Sequence, residues 1–90
     1  MVYVDPEIAC LPNGRYRWNT VSHLFADTED ELHAFARKLG LRGAWFQDSP
    51  KLKHYDLNHA TRLRAEALGV VQLSRREAVT KWRELRGEFA

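Results

Sequence analysis

The chain contains one cysteine in 90 residues. Cys10 can close no intrachain disulfide and has no second cysteine for a zinc knuckle, so a reducing compartment is the expected setting. The N-terminus MVYVDPEIACLP places an acid and a proline where a secretory leader needs a basic start and an apolar stretch. No segment approaches the ~20 apolar residues of a membrane span. These absences predict a soluble, cytoplasmic protein with no membrane partner. Also missing are GxGxxG and Walker A loops, so the usual phosphate cradles of nucleotide-binding folds are excluded. There is no HExxH pair, and nothing orients Ser22, Ser49, Ser74 or Cys10 as a nucleophile.

A composition of 44% hydrophobic and 29% charged residues favours one folded domain, residues 1–90, over disorder. A domain of this size buries roughly 60–65% of its unfolded surface. Its core is therefore thin, tryptophan and phenylalanine supply much of it, and a homodimer would add to it. The net charge of +2 is divided unevenly, with −2 on residues 1–50 and +4 on residues 51–90. That asymmetry can attract phosphate or an acidic partner, although Arg62, Arg64, Arg75, Arg76, Lys81, Arg83 and Arg86 serve equally well as solvated helix faces.

Local patterns predict an α/β domain. Val2-Tyr3-Val4 reads as a short strand stopped by Asp5-Pro6, and residues 6–19 as a hairpin-like excursion around the turn Pro12-Asn13-Gly14. Within it Arg15-Tyr16-Arg17-Trp18 alternates charge and ring. Residues 20–27 form the best strand. Thr28 to Glu31 matches a capping box, Leu32, Phe35, Ala36 and Leu39 follow at helical spacing, and Gly40 stands at C′. Residues 43–47 give a weak strand. A second helix is expected from about Asn58 to Leu68, with Leu57, Ala60, Leu63, Ala67 and Leu68 inward and Gly69 ending it. Residues 70–73 form a strand, and Ser74 to Glu77 opens a last helix with Ala78, Val79, Trp82, Leu85 and Phe89 as its apolar stripe. Strands separated by single helices imply a mainly parallel sheet of about four short strands with three helices.

The segments VYVD, SHLFAD followed by TEDELHAFARKLGL, WFQ and HYD, read in this order, resemble the bacterial and phage family catalogued as domain of unknown function 4031. The resemblance covers nearly the whole chain. It implies a small intracellular protein in which His23, Asp27, Trp45, Phe46, Gln47, His54, Tyr55 and Asp56 match the family's motifs, and it implies no activity.

In a parallel α/β sheet, ligands collect beyond the carboxyl ends of the strands. That rule selects Asp5, Asp27, Gln47 and the segment His54-Tyr55-Asp56. Each residue has two readings. Asp5 either bonds its own turn or joins a site; Asp27 starts the first helix or joins it; Asp56 caps the second helix or turns to the rim. Tyr55 is core or site. His23 and Asp27 share a face of one strand but lie about 13 Å apart, so they cannot bind one metal together, and His23 is either a core histidine or a ligand contact.

The expected function is a polar rim site for an anionic small molecule, a phosphorylated ligand or a nucleic-acid end. Asp5, Asp27 and Asp56 would hold a divalent metal such as Mg²⁺, His54 and Asp56 would be the catalytic pair, and Tyr55, Gln47, Trp45 and His23 would contact the ligand. Hydrolysis and plain binding are both open. The alternative is a nucleic-acid or protein interaction module using the basic C-terminal helix and the RYRW segment.

Overall fold

The computed structural model describes residues 1–10 and 19–87. The elements run β1 (Val2–Val4), β2 (Ile8–Ala9), β3 (Thr20–Ala26), α1 (Glu29–Lys38), a 3-10 turn (Gly43–Trp45), β4 (Gln47–Asp48), β5 (Lys53–Leu57), α2 (His59–Ala67), β6 (Val71–Gln72) and α3 (Arg75–Leu85). The expected turn at Pro12 to Gly14, the RYRW strand and Phe89 lie outside the described residues.

The α/β class holds, but the sheet is mixed rather than mainly parallel. Its order is β4-β5-β3-β1-β6, with β2 also on β3. Among the described residues, only β1 and β6 pair in parallel, and the other ladders are antiparallel. The difference comes from one segment. Residues 53–57, expected to lead into a helix, form a strand whose side chains alternate between faces, with Tyr55 and Leu57 buried and His54 and Asp56 opposite. This strand inserts between β3 and β4, two strands that run in the same direction and would otherwise neighbour each other.

The sheet separates two cores. Val4, Leu24, Tyr55 and Leu57 pack against Leu32, Ala36 and Leu39 of α1 and its C-cap, and against Ala65 of α2. On the other face Tyr3 and Phe25 meet Ala78 and Trp82 of α3. Phe25 is fully buried, with ring centroids 5.5 Å from Tyr3 and 5.8 Å from Trp82. Among the described residues, two helices thus cover one face and one helix covers the other. Polar residues of β3 and β5 occupy part of the less covered face.

The expected N-caps form at both Thr28 and Ser74, but the full reciprocal box forms only at Ser74, since the Glu31 carboxylate takes the Thr28 hydroxyl and the Met1 ammonium instead of the Thr28 backbone N–H. Thr28 accepts from the Glu31 N–H, and Ser74 and Glu77 form a reciprocal box at α3. Gly40 takes φ 78°, the left-handed conformation that ends α1.

Helix α2 corrects two expectations. Asn58, not Asp56, caps it, accepting from the Thr61 N–H at 2.9 Å. Its buried residues are Thr61, Arg62 and Ala65, while Ala60 and Ala67 are exposed and Leu63 and Leu68 are each 50% exposed. Leu57 is buried as expected, but from β5. The small Ala65 lets the helix approach the sheet. Arg62 is accommodated because its guanidinium meets the Asp5 carbonyl and the Glu66 carboxylate (3.0 Å).

A bulge completes the scaffold. Between the pairs Val4↔Leu24 and Ile8↔Val21, residues 5–7 of one strand face only residues 22 and 23 of the other. One extra residue is thus accommodated where Pro6 has no N–H to donate. Bulges re-aim side chains, and this one presents Asp5.

Candidate functional site: a histidine-carboxylate cluster on the open sheet face

β3 and β5 pair His23 directly with Asp56, and β4 and β5 pair Gln47 with His54. The side chains of His23, His54 and Asp56 therefore converge from adjacent strands. One ligand-type atom from each lies within 4.8 Å of the others. The Nε2 of His54 is 3.3 Å from Asp56 Oδ1, and the Nε2 of His23 is 3.7 Å from the same oxygen. The two imidazoles meet edge to face, with centroids 5.0 Å apart. The side chains of His54 and Asp56 are each 12% exposed and that of His23 is 27% exposed, so the cluster is partly shielded but reachable.

Both rings are oriented from behind. His54 Nδ1 lies 2.7 Å from the Leu52 carbonyl. A carbonyl only accepts, so Nδ1 carries a proton, and Nε2 is the nitrogen that faces Asp56. His23 Nδ1 lies 2.7 Å from Asp5 Oδ2, while Asp5 Oδ1 accepts from the His23 backbone N–H at 2.6 Å. The Asp5 hydrogen bond is the main cause that raises the His23 pKa; burial opposes it, and the charges of Asp5 and Asp56 add to it. On the far side of Asp56, Oδ2 accepts from the Gln47 amide at 2.5 Å. Asp5 is itself fixed by the bulge, whose carbonyl receives Arg62.

The sequence candidates divide accordingly. His23, His54, Asp56, Asp5 and Gln47 come together. Asp27 does not: β1 and β3 run antiparallel, so Asp5 sits beside His23 and Asp27 beside Met1, at opposite ends of the ladder. There Asp27 accepts from the Met1 ammonium at 3.0 Å and from the Tyr3 hydroxyl at 3.0 Å, and it pairs with Lys81 at 3.1 Å. Burial pushes the Asp27 carboxyl up, but the hydrogen bonds from the N-terminal amine, Lys81 and Tyr3 outweigh it and hold the group below its ordinary value. Tyr55 alternates onto the core face, where it is 2% exposed and its hydroxyl meets His33 Nδ1 at 2.8 Å. Trp45 is 52% exposed beside a cleft that reaches Asp56 and Gln47. Arg75, Arg76 and Arg83 of α3 are exposed.

The residue missed from the sequence is Arg62, only 8% exposed behind the bulge. An arginine on a helix reads as a solvated face; the i,i+4 pair with Glu66 fits that reading, and no local signal announces the Asp5 carbonyl, 57 residues away. The signal for the cluster was available in the strict alternation of His54, Tyr55, Asp56 and Leu57, which marks a strand that places both polar residues on one face.

Among the described residues, no helix is long and apolar enough to cross a membrane. No curated protein and no solved structure matches the chain. A model of the family described as "Protein of unknown function (DUF4031)" matches residues 2–85, a span that includes the entire cluster, and the chain belongs to that family.

Proposed function

We propose that the protein binds one divalent transition metal through His23 Nε2, His54 Nε2 and the Asp56 carboxylate, and uses it to activate water against an anionic or phosphorylated ligand. One observation carries this reading: both Nδ1 atoms are committed to acceptors outside the cluster, which turns both Nε2 atoms toward one carboxylate. Three acceptors converging on one point repel unless a proton or a cation lies between them. Ligands bound at about 2.0–2.1 Å in a tetrahedron stand about 3.3 Å apart. The separations of 3.3 and 3.7 Å to Asp56 Oδ1 are close to that edge.

The donor set also bears on the metal. Mg²⁺ takes oxygen ligands in octahedral geometry, whereas two imidazoles and one carboxylate suit zinc or iron. The Mg²⁺ expected from an all-aspartate site therefore gives way to a transition metal. Three protein ligands leave at least one position open, the arrangement in which a metal lowers the pKa of bound water and polarises a phosphoryl or carbonyl oxygen. Asp5 and the Leu52 carbonyl fill the supporting role that oriented histidine ligands require.

Isothermal titration of the chelator-treated protein tests the reading. Zn²⁺ binds with one-to-one stoichiometry, Mg²⁺ binds at least 100-fold more weakly, and His54→Ala, His23→Ala and Asp56→Asn each weaken Zn²⁺ at least 100-fold. Absence of a one-to-one isotherm with zinc, iron(II) or manganese, or affinity unchanged by all three substitutions, overturns the metal assignment. Hydrolysis of bis(p-nitrophenyl) phosphate by the zinc form, lost in His54→Ala, tests the catalytic part. A zinc-loaded protein inactive on phosphodiester, phosphomonoester and carboxylic ester probes would leave a binding protein.

A further inference from the structure

On the Gln47 side of Asp56 lies a cleft of about 510 Å³, within the range of small-molecule sites. Its apolar wall is Leu41, Trp45 and Phe46, and across from them stand Asn58, Thr61 and Arg64 from the first turns of α2 and its cap. Trp45 is half exposed at this wall, an unusual position for a large ring that could instead be packed in a thin core. The Arg42 guanidinium lies 5.8 Å from its ring centroid.

The charge around the cleft is one-sided. Arg64 lines it, and Arg37, Lys38 and Arg42 flank the lining residues Gly40 and Leu41 in the chain. Among the described residues, none of these four cations has a carboxylate within ion-pair distance, whereas Lys53, Arg62 and Lys81 all do. Arg64 donates one N–H to the Leu39 carbonyl at 2.8 Å, which fixes its stem and leaves the other donors of the fork. The acidic residue in the lining is Asp56, already engaged by Gln47 and the two histidines.

From the half-exposed ring, the unpaired guanidinium groups and the volume, we infer that this cleft binds a flat aromatic group bearing phosphate, the chemistry of a mononucleotide, with the base against Trp45 and the phosphate held by Arg42 and Arg64. The ligand class extends the metal reading, on which it rests only for placing the phosphate near Asp56; the cleft itself is built without the metal ligands His23 and His54. A free nucleotide and the phosphorylated end of a single strand share this chemistry, because stacking tolerates any base and the arginine fork recognises any phosphate.

The test uses the full chain, first with chelator and then with zinc, and titrates adenosine 5′-monophosphate, adenosine and inorganic phosphate by calorimetry. The monophosphate binds one-to-one without metal, and adenosine and phosphate each bind at least 10-fold more weakly. Trp45→Ala weakens it at least 10-fold, and Arg42→Ala weakens the monophosphate while leaving adenosine within twofold. Among the described residues the Arg42 side chain makes no hydrogen bond, and its backbone carbonyl, which accepts from the Trp45 N–H, is kept in the variant, so Arg42→Ala tests the charge without disturbing the Arg64 anchor. Tighter binding of a 5′-phosphorylated tetranucleotide, with the same two dependences, assigns the strand end as the source; weaker binding assigns the free nucleotide. No monophosphate binding at millimolar concentration, or binding indifferent to both Trp45→Ala and Arg42→Ala, overturns the inference. Failure of the metal reading is registered separately, by the missing zinc isotherm.

Discussion

Replacing Asp5 with asparagine probes the cluster without touching a proposed metal ligand. The wild-type carboxylate accepts twice, from the His23 backbone N–H at 2.6 Å and from His23 Nδ1 at 2.7 Å. An asparagine of the same shape has one acceptor oxygen and one amino group. The backbone N–H cannot change its role, so the oxygen turns to it and the amino group faces Nδ1. Nδ1 must then become an acceptor, and the imidazole proton moves to Nε2, the atom proposed to bind metal. A wrong tautomer of this kind disables a histidine while leaving its geometry in place. Loss of such an orienting carboxylate typically costs about 10- to 100-fold in metal affinity, ~1.4–2.8 kcal/mol. Both hydrogen bonds survive in neutral form, so folding stability falls by only about 1 kcal/mol. Zinc affinity from competition with a chromophoric chelator measures the first effect, urea denaturation of the metal-free protein the second, and long-range ¹H–¹⁵N correlation of the imidazoles identifies the tautomer. Zinc affinity within twofold of wild type, with His23 still protonated at Nδ1, would refute the reasoning.

Three further outcomes are expected. Asp27→Asn lowers the melting temperature at neutral pH but leaves zinc affinity within twofold, because Asp27 serves Tyr3, Lys81 and the Met1 amine away from the cluster. Its folded carboxyl lies below the ordinary 3.8, so its contribution is present above that pH and is lost as pH falls through the folded value; melting curves of variant and wild type that fail to converge in acid contradict this. Arg62→Met, measured by urea denaturation, destabilises by about 1–3 kcal/mol because it leaves the buried Asp5 carbonyl without its donor, while the partly exposed Glu66 carboxylate can hydrate; a loss under about 0.5 kcal/mol would remove the clamp from the account. Leu63→Gln changes stability by no more than about 0.5 kcal/mol, since that side of α2 faces water, whereas Ala65→Leu costs about 1–3 kcal/mol by overfilling the contact between helix and sheet; the reverse order in chemical denaturation would restore the apolar stripe to the core.

The resemblance to the family, the N-caps at Thr28 and Ser74, the strands at residues 2–4 and 20–26, and the inward face of α1 were all legible because each rests on neighbours in the chain. Cap hydroxyls reach three residues ahead, and the 3.6-residue period of Leu32, Phe35, Ala36 and Leu39 is local. The polar residues that matter were legible too, as types: His23, His54, Asp56, Asp5 and Gln47 were all candidates. Their division into roles was not. Whether Asp56 caps a helix or faces His23 depends on β5 entering the sheet beside β3, a pairing between residues more than thirty positions apart that no local pattern encodes. The same holds for Asp27, separated from Asp5 by the antiparallel sense of β1 and β3, and for Arg62, whose burial is compensated by a carbonyl 57 residues away. Backbone propensity and periodicity act over a few residues and settle the elements. Strand order and register act over the whole chain, and they alone decided which of the chemically able side chains share a site.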